Sequence, residues 1–501
     1  MSEVRVYGGW SKERAGRFFG LTGPALVGCV AMGLPEVLAL GSQRWALLAL
    51  WAPVWAVAVL LIAVPVHGRP AARWLLDWVL TKAGSTLRFT AFQSLAAGGV
   101  MDDPSAVDLP GVASGIRVYD GPPFGEAMSR PVLVADENSS TWRAVASYIN
   151  PGLGLAGVSQ RQRRGEGLSE LMEAAARAEL VEWIACQVRT IPDDGAERRD
   201  YQQTHRRDDA PAVTLAIDAE LSRTVSVAGV RAEVFVTVVV AESAIRGSAK
   251  QSGGGIDGRA RVMQSVMREV QERLISGMAG TSVTWLDSAG LAQAIRTGYA
   301  PGDRAGVVRA KADPEQAGVP MAAAGPSRTL APQPRSYTHD AWTSVSCAVL
   351  LPDGGAVMGA LAPVFAPATA GERRSVTVFY SPMPAGASHR AVGRDSMAAE
   401  TGSEMRRKAG FTVRARNRKE SGQLRTQDEK LARGRALVRV SAIAATTVPS
   451  EWTAAEHGEN LQASIRAAGF TPLMLDLAQD SGFVAACLPL GIGFTRLRRT
   501  P

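Results

Sequence analysis

The chain has 501 residues, 46% of them hydrophobic and 20% charged, with a formal net charge of +8. That length suits about three domains, and the composition excludes wholesale disorder and a polytopic transporter. The charge excess is mild, so it does not by itself argue for nucleic acid, and an anionic membrane surface suits it equally. The four cysteines, Cys29, Cys186, Cys347 and Cys487, form no CxxC pair, which excludes a disulfide framework and fits a reducing compartment. The five histidines are equally scattered and show no metal-ligand spacing.

Taken in chain order, the first informative stretch is uncharged from Phe18 to Pro35, ending at Glu36. A second, Trp45 to Val66, carries no charged side chain and is long enough to span a hydrocarbon core of about 30 Å. With only residues 36–44 between them, the two runs predict a transmembrane hairpin with spans at 18–35 and 45–66. A signal peptide followed by a buried core helix is the competing reading. The immediate second run and the lack of a clean small-residue cleavage site disfavour it. Arg5, Lys12, Arg14 and Arg17 precede the hairpin and Arg69, Arg73, Lys82 and Arg88 follow it, whereas the loop holds Arg44 alone. The positive-inside rule then places both termini in the cytoplasm and the protein in the inner (plasma) membrane. Residues 73–80, rich in Trp and Leu, suit either a helix at headgroup level or a plain continuation of the second span.

Strands are expected at 116–119, 131–135 and 144–149, the last two joined by a hairpin loop at 136–140. A helix at 168–180 and a strand at 183–188 follow. Residues 193–225 read as a solvated helical excursion carrying Arg198, Arg199, Arg206 and Arg207. Val234 to Val240 reads as a central strand buried on both faces. Val262, Val266, Val270 and Leu274 at i+4 spacing predict a helix at 258–277. A strand at 281–285 precedes a helix capped by Asp287. Residues 310–334, rich in Ala, Pro and Gly, read as a linker. Beyond it come a strand at 375–380, a charged helical stretch at 391–435 and a strand at 436–444. A helix at 450–468 capped by Ser450 and closing strands at 472–477 and 483–490 complete the chain. The fold class is therefore α+β, an N-terminal hairpin (1–90) followed by two similar sheet-plus-helix halves (91–309 and 335–501) in an α/β-sandwich region.

No catalytic, cofactor-binding or metal site emerges. A Walker A loop is missing; the cluster Gly253-Gly254-Gly255-Ile256-Asp257-Gly258 lacks the lysine that would meet a phosphate and reads as a loop. Gly152-Leu153-Gly154-Leu155-Ala156-Gly157 matches GxGxxG without the βαβ context that gives it meaning, so it reads as a bend. Two basic clusters, Arg406 to Lys419 and Arg496 to Arg499, suit a solvated face first, an acidic partner or lipid headgroups second, and DNA last.

Three stretches carry a resemblance: Leu109-Pro110-Gly111-Val112 with Gly115 to Pro123, Gly290 to Tyr299, and Phe483 to Leu490. Together with the basic tail, two spans and Gly68-Arg69-Pro70 before a Trp/Leu helix, they resemble actinobacterial conjugation-associated membrane proteins. That family has a PrgI-like hairpin ahead of a cytoplasmic domain similar to the non-motor region of type IV secretion ATPases. The resemblance covers about residues 5–490. It implies a non-catalytic subunit, without cofactor, that docks a separately encoded P-loop ATPase onto a translocation channel. Its implied partners are that ATPase, other membrane channel subunits, the lipid bilayer and further copies of itself, with direct nucleic-acid contact a minor possibility. The alternative is an EccE-like membrane component of a type VII secretion system.

Overall fold

The computed structural model describes residues 6–8, 23–66, 69–86, 90–154, 156–192, 196–207, 209–228, 230–312, 318–352, 354–384, 386–388, 390, 429, 431–432 and 434–493. Chain contacts divide the protein into one unit of Trp10–Thr90 and another of Met1–Gly9 with Ala91–Pro501.

In the smaller unit, α1 (Gly23–Gly41) and α2 (Trp45–Ala63) are joined by three residues and pack on one another. The first helix does not stop at Pro35 and Glu36, as expected, but continues to Gly41, so the connection is 42–44 rather than 36–44. A proline inside a helix costs one backbone bond, and the turns on either side carry the helix through. The expected first span lies only partly among the described residues. The short strands β2 (Pro65–Val66) and β3 (Arg69–Pro70) pair as a hairpin before α3 (Ala71–Thr86).

The larger unit is built on one sheet. In its first part, β4 (Phe92–Gln93) is followed by β5 (Ile116–Asp120), β6 (Val132–Asp136), β7 (Thr141–Ile149), α4 (Val158–Ala178) and β8 (Val181–Pro192). Next come α5 (Ala196–His205), α6 (Ala212–Ala228), β9 (Val230–Ala241), α7 (Glu242–Gln251), α8 (Gly255–Ser276), β10 (Ser282–Trp285), α9 (Ser288–Tyr299) and α10 (Arg304–Ala312). The second part holds β11 (Arg328–Thr329), β12 (Tyr337–His339), β13 (Trp342–Leu350), β14 (Ala356–Val357), β15 (Arg373–Met383), β16 (Leu437–Pro449), α11 (Ala454–Ala467), β17 (Thr471–Met474) and α12 (Gln479–Cys487). Near the start of the chain, β1 (Val6–Tyr7) pairs with β14.

Among the described residues the sheet has 13 strands in the order β4-β11-β12-β13-β16-β15-β8-β9-β7-β6-β5, with β10 on β7 and β17 on β13. Every ladder in it is antiparallel. The strands β10-β7-β9-β8 and β17-β13-β16-β15 each read 4-1-3-2 in chain order, and the first set with α4 and α8 is a split βαβ unit. The two sets meet edge to edge through β8 and β15, paired from Ile184↔Tyr380 to Arg189↔Ser375. Residues 318–334, expected as part of a linker, instead carry β11, which hydrogen-bonds to β4 on one side and β12 on the other.

Helices cover both faces of this sheet. On one face Val236, Val238 and Val240 of β9 meet Leu171 and Met172 of α4 and the Val262, Val266, Val270 and Leu274 stripe of α8. That face continues under α11, where Leu461 and Ile465 pack on Cys347, Val376 and Ala444. The alternate residues Phe235 and Val239, with Trp183 and Phe379, face α9 and α12. So β9 is buried on both sides, which is why its apolar run lacks a polar alternation. Two expectations change here. Of residues 483–490, expected as a closing strand, 483–487 form the second half of α12 and 488–490 leave it as a turn. The helix expected from Ser450 begins at Ala454, and its N-cap residue is Thr453. The charged stretch at 391–428 lies outside the described residues.

One close approach fixes α4 against the end of α8. A Cβ on Gly167 would stand 2.1 Å from the carbonyl oxygen of Gly277. Overpacking of this kind costs about 1–3 kcal/mol, more than the roughly 1 kcal/mol that alanine gains over glycine inside a helix. Gly167→Ala is therefore expected to lower the melting temperature of the chain; an unchanged or higher value would show that the two helices separate freely.

Candidate functional site

The apolar surface of the smaller unit is its first candidate. Among the described residues one helix is long and apolar enough to cross a membrane by length and composition. It is Trp45–Ile62, with mean hydropathy 2.3 and none of it buried; Gly28–Gly41 is a shorter apolar helix. Leu47, Leu50, Val54, Val57 and Leu60 on α2 and Leu34, Val37 and Leu38 on α1 are all exposed. The two helices are held together by indoles. Trp51 Nε1 donates to the Met32 carbonyl at 3.3 Å and Trp55 Nε1 to the Cys29 carbonyl at 3.1 Å. Gly33 makes room for the second indole, since a Cβ there would lie 3.0 Å from Trp55 Nε1. On α3, Arg73 and Asp77 pair at 3.3 Å while Leu75, Leu76, Trp78, Val79 and Leu80 are exposed.

The second candidate is a belt of buried polar side chains on the sheet face under α9 and α12. A helix leaves its last carbonyls without partners and carries partial negative charge at that end. Here the strands supply the donors. Arg189 of β8 donates Nη1 to the Ala294 carbonyl at 2.7 Å, Nη2 to Thr297 Oγ1 at 2.8 Å, and Nε to Glu233 at 2.7 Å. Arg373 of β15 donates to the carbonyls of Thr297 and Gly298, each at 2.6 Å. Burial pulls Arg373 down to about 10, which leaves it charged at neutral pH. Burial pushes the Glu233 carboxyl up, but the charge and hydrogen bond of Arg189 outweigh this and hold it below the ordinary range.

The segment from α12 to Gly491 is tied down residue by residue. The Ala486 carbonyl accepts from Gln187 Nε2 at 2.8 Å and from Thr377 Oγ1 at 3.2 Å. Thr237 Oγ1 reaches the Pro489 carbonyl at 2.8 Å, Arg143 Nη1 the Leu490 carbonyl at 3.1 Å, and Trp183 Nε1 the Gly491 carbonyl at 2.9 Å. At the other end of α12, Gln479 accepts from Ser346 N at 2.7 Å and donates to its carbonyl at 3.2 Å. Arg143 is neutralised by Asp136, whose carboxylate also accepts from Ser139 Oγ at 2.6 Å and Asn138 N at 3.0 Å. Phe483 packs among Tyr299, Tyr337 and His339.

On the opposite face Glu372 accepts from Arg374, from Thr446 Oγ1 at 2.8 Å and from Ala368 N at 2.9 Å, with His457 Nδ1 at 3.3 Å. Burial raises this carboxyl, yet Arg374 and the hydrogen bonds bring it net below the ordinary range. These acids and arginines hold main chain and one another. Their chemistry is that of a scaffold.

The stretches that carried the resemblance come together here. Leu109, Ala113 and Ile116, then Leu291, Ile295 and Tyr299, then Phe483, Val484 and Leu490 belong to one buried cluster. The Asp287 cap forms as expected, accepting from Gly290 N at 2.7 Å. The glycine cluster ends α7 and begins α8, with Gly253, Gly254 and Gly255 all at positive φ. The second glycine motif is the bend between β7 and α4, where Arg161 bonds the carbonyls of Leu153 and Ala156. Arg198 pairs with Asp218 and Arg207 with Asp209, so part of the expected solvated charge is locally paired. Both basic clusters, 406–419 and 496–499, lie outside the described residues. Among the described residues no group of three His, Cys, Asp or Glu is placed to hold a metal. The cysteines are free, and burial pushes Cys186 and Cys347 up to about 12. Sequence reasoning missed the arginine belt. Its signal was faint: Arg143 and Arg189 stand beside apolar residues within their strands, whereas Arg373 opens β15 next to Arg374 and reads as a strand end. No protein-family profile and no curated protein matches this chain.

Proposed function

We propose that this protein is a non-catalytic inner-membrane subunit of a conjugative or type IV-like secretion apparatus, docking a separately encoded P-loop ATPase to the translocation channel. The observation that carries this reading is α2, an apolar helix of membrane-spanning length with no part of its 18-residue window buried. Water would leave so large an apolar surface strongly disfavoured. With α1 beside it the unit serves as a hairpin anchor, and α3 as the headgroup-level helix that follows. The gathering of the three family-like stretches into one core supports the resemblance, because motifs that share a structural task belong together. The larger unit offers surface rather than chemistry, since its buried ionic groups are committed to the fold.

Mild crosslinking in native membranes, affinity purification and mass spectrometry test the reading. Recovery of a P-loop ATPase with polytopic channel proteins is the expected result. The identity of that ATPase separates a type IV from a type VII apparatus. Recovery of the protein alone, from membranes that express the apparatus, would overturn the docking role.

A further inference from the structure

The chain ahead of the two apolar helices belongs to the larger unit. Val6 pairs with Val357 and Tyr7 with Ala356 along β14, and Ala356 packs against the buried cluster beneath α11. Two glycines shape the seat that receives this segment. Gly355, at φ +84°, lets the strands close up: a Cβ there would stand 2.6 Å from the Tyr7 carbonyl oxygen and 2.7 Å from Val6 Cγ1. Gly165 lies inside α4, where glycine costs about 1 kcal/mol relative to alanine. The Tyr7 ring takes the space that alanine would need, since a Cβ on Gly165 would fall 2.6 Å from Tyr7 Cζ. The Tyr7 hydroxyl is buried there. Backbone and side chain are thus both received, the first by β14 and the second by α4.

This seat constrains how the chain meets a bilayer. An open two-stranded ladder does not form in hydrocarbon, where its outer backbone groups would have no water. So β1 and β14 share one aqueous compartment with the rest of the larger unit. The chain leaves that unit after Gly9 and rejoins it at Ala91. It therefore returns on the side from which it left, and the number of crossings between is even. One crossing is α2. By apolar length α1 is the weaker helix, but its 19 residues rise about 28 Å, close to the roughly 30 Å of a hydrocarbon core. In α3, by contrast, 16 residues include Arg73, Asp77 and Lys82.

We infer that Val6, Tyr7 and Gly8 are a clasp that fastens the N-terminal end of the anchor to the larger unit, and that α1 therefore crosses the bilayer together with α2. The inference rests on the anchor reading above and deepens it: the hairpin is fastened to one folded body at both of its ends.

The test uses the full chain in the membranes of a bacterial host. The native cysteines are free, so the unsubstituted chain supplies the background. Val6→Cys/Val357→Cys joins a register pair of the clasp, and Val6→Cys/Ile217→Cys is a control with an exposed position of α6. After mild oxidation of isolated membranes, mass spectrometry should find several-fold more linked peptide for the first pair than for the control. A membrane-impermeant maleimide, applied to spheroplasts before and after lysis, reads the sides. Ser42→Cys lies in the exposed turn between α1 and α2. The expected result is that it reacts on one side, and Val6→Cys and Ile217→Cys both react on the other. Linkage no greater than the control overturns the clasp. Val6→Cys and Ile217→Cys on opposite sides, or Ser42→Cys on the same side as both, overturns the paired crossing and leaves α2 as an anchor. If alkaline carbonate washes the chain off the membranes, the anchor reading fails and the crossing of α1 with it, while the 6–357 linkage still reads the clasp.

Discussion

Asp136→Ala is expected to destabilise the larger unit by about 3–5 kcal/mol, the usual cost of stranding a buried charge. The side chains of Arg143 and Asp136 are 1% and 4% exposed, and their ion pair lies between the β6–β7 hairpin and the segment after α12. Removing the carboxylate takes the ion-pair partner from a buried guanidinium whose donors also meet Ser139, Thr141 and the Leu490 carbonyl. Losing the charged partner of a desolvated guanidinium costs more than its hydrogen bonds to neutral groups return. The hairpin and residues 488–491 should therefore loosen together. Urea unfolding of the full chain in detergent measures the loss, and amide exchange at 488–491 locates it. The double variant Asp136→Ala/Arg143→Met should recover much of the stability, since replacing a whole buried pair by apolar groups is often neutral. A single variant that loses under about 1 kcal/mol would show that water reaches Arg143.

Acid is expected to weaken the fold well before its carboxylates titrate, and His339 is the reason. Burial first, and the charge of Arg373 second, push its imidazole from 6.5 down to about 3. It stays neutral in the folded chain, where Nε2 and Ser344 Oγ lie 2.8 Å apart. The unfolded chain takes up that proton near pH 6.5. Between pH 6.5 and about 3 the unfolded state therefore holds more protons, and stability falls as pH falls. At about 1.4 kcal/mol per unit the full effect is on the order of 5 kcal/mol. Glu233 and Glu372 act in a lower window. Their folded values are depressed, so they stabilise above an unfolded value of 4.5, and that contribution is lost as pH drops through their folded values. Unfolding free energies between pH 7 and 5 thus lie above the window of these two carboxylates. His339→Gln, which keeps a polar group opposite Ser344, should flatten the slope across this range. An unchanged slope would assign the acid sensitivity to another group.

Much of the fold is legible in the chain because its signals are local. The β6–β7 hairpin follows from two apolar runs around Asp136 to Ser140. The valine run of β9 announces a strand covered on both faces, and the i+4 stripe from Val262 to Leu274 a helix with one buried face. Asp287 caps α9 as its chemistry requires. The errors fall where distant residues decide. Phe483 to Leu490 is uncharged and apolar, so by pattern alone a strand and a buried helix are equally good. It becomes helix and strap because Gln187, Thr377, Thr237 and Arg143, all more than a hundred residues away, supply donors to its carbonyls. Ser450 was the natural cap, but pairing of β16 with β13 runs on to Pro449↔Trp342 and pushes the helix start to Ala454.

The sequence by itself determined the α+β class, the uncharged helix from Trp45, and the lack of recognisable phosphate or metal motifs, since each depends on composition or on neighbours a few residues apart. Tertiary structure alone decided that both halves share one antiparallel sheet through β8 and β15. It also decided that arginines buried in strands serve as caps for α9 and tethers for the chain after α12. Backbone pairing and burial are made between residues far apart in the chain, and nothing in a local pattern states which distant carbonyl an arginine will meet.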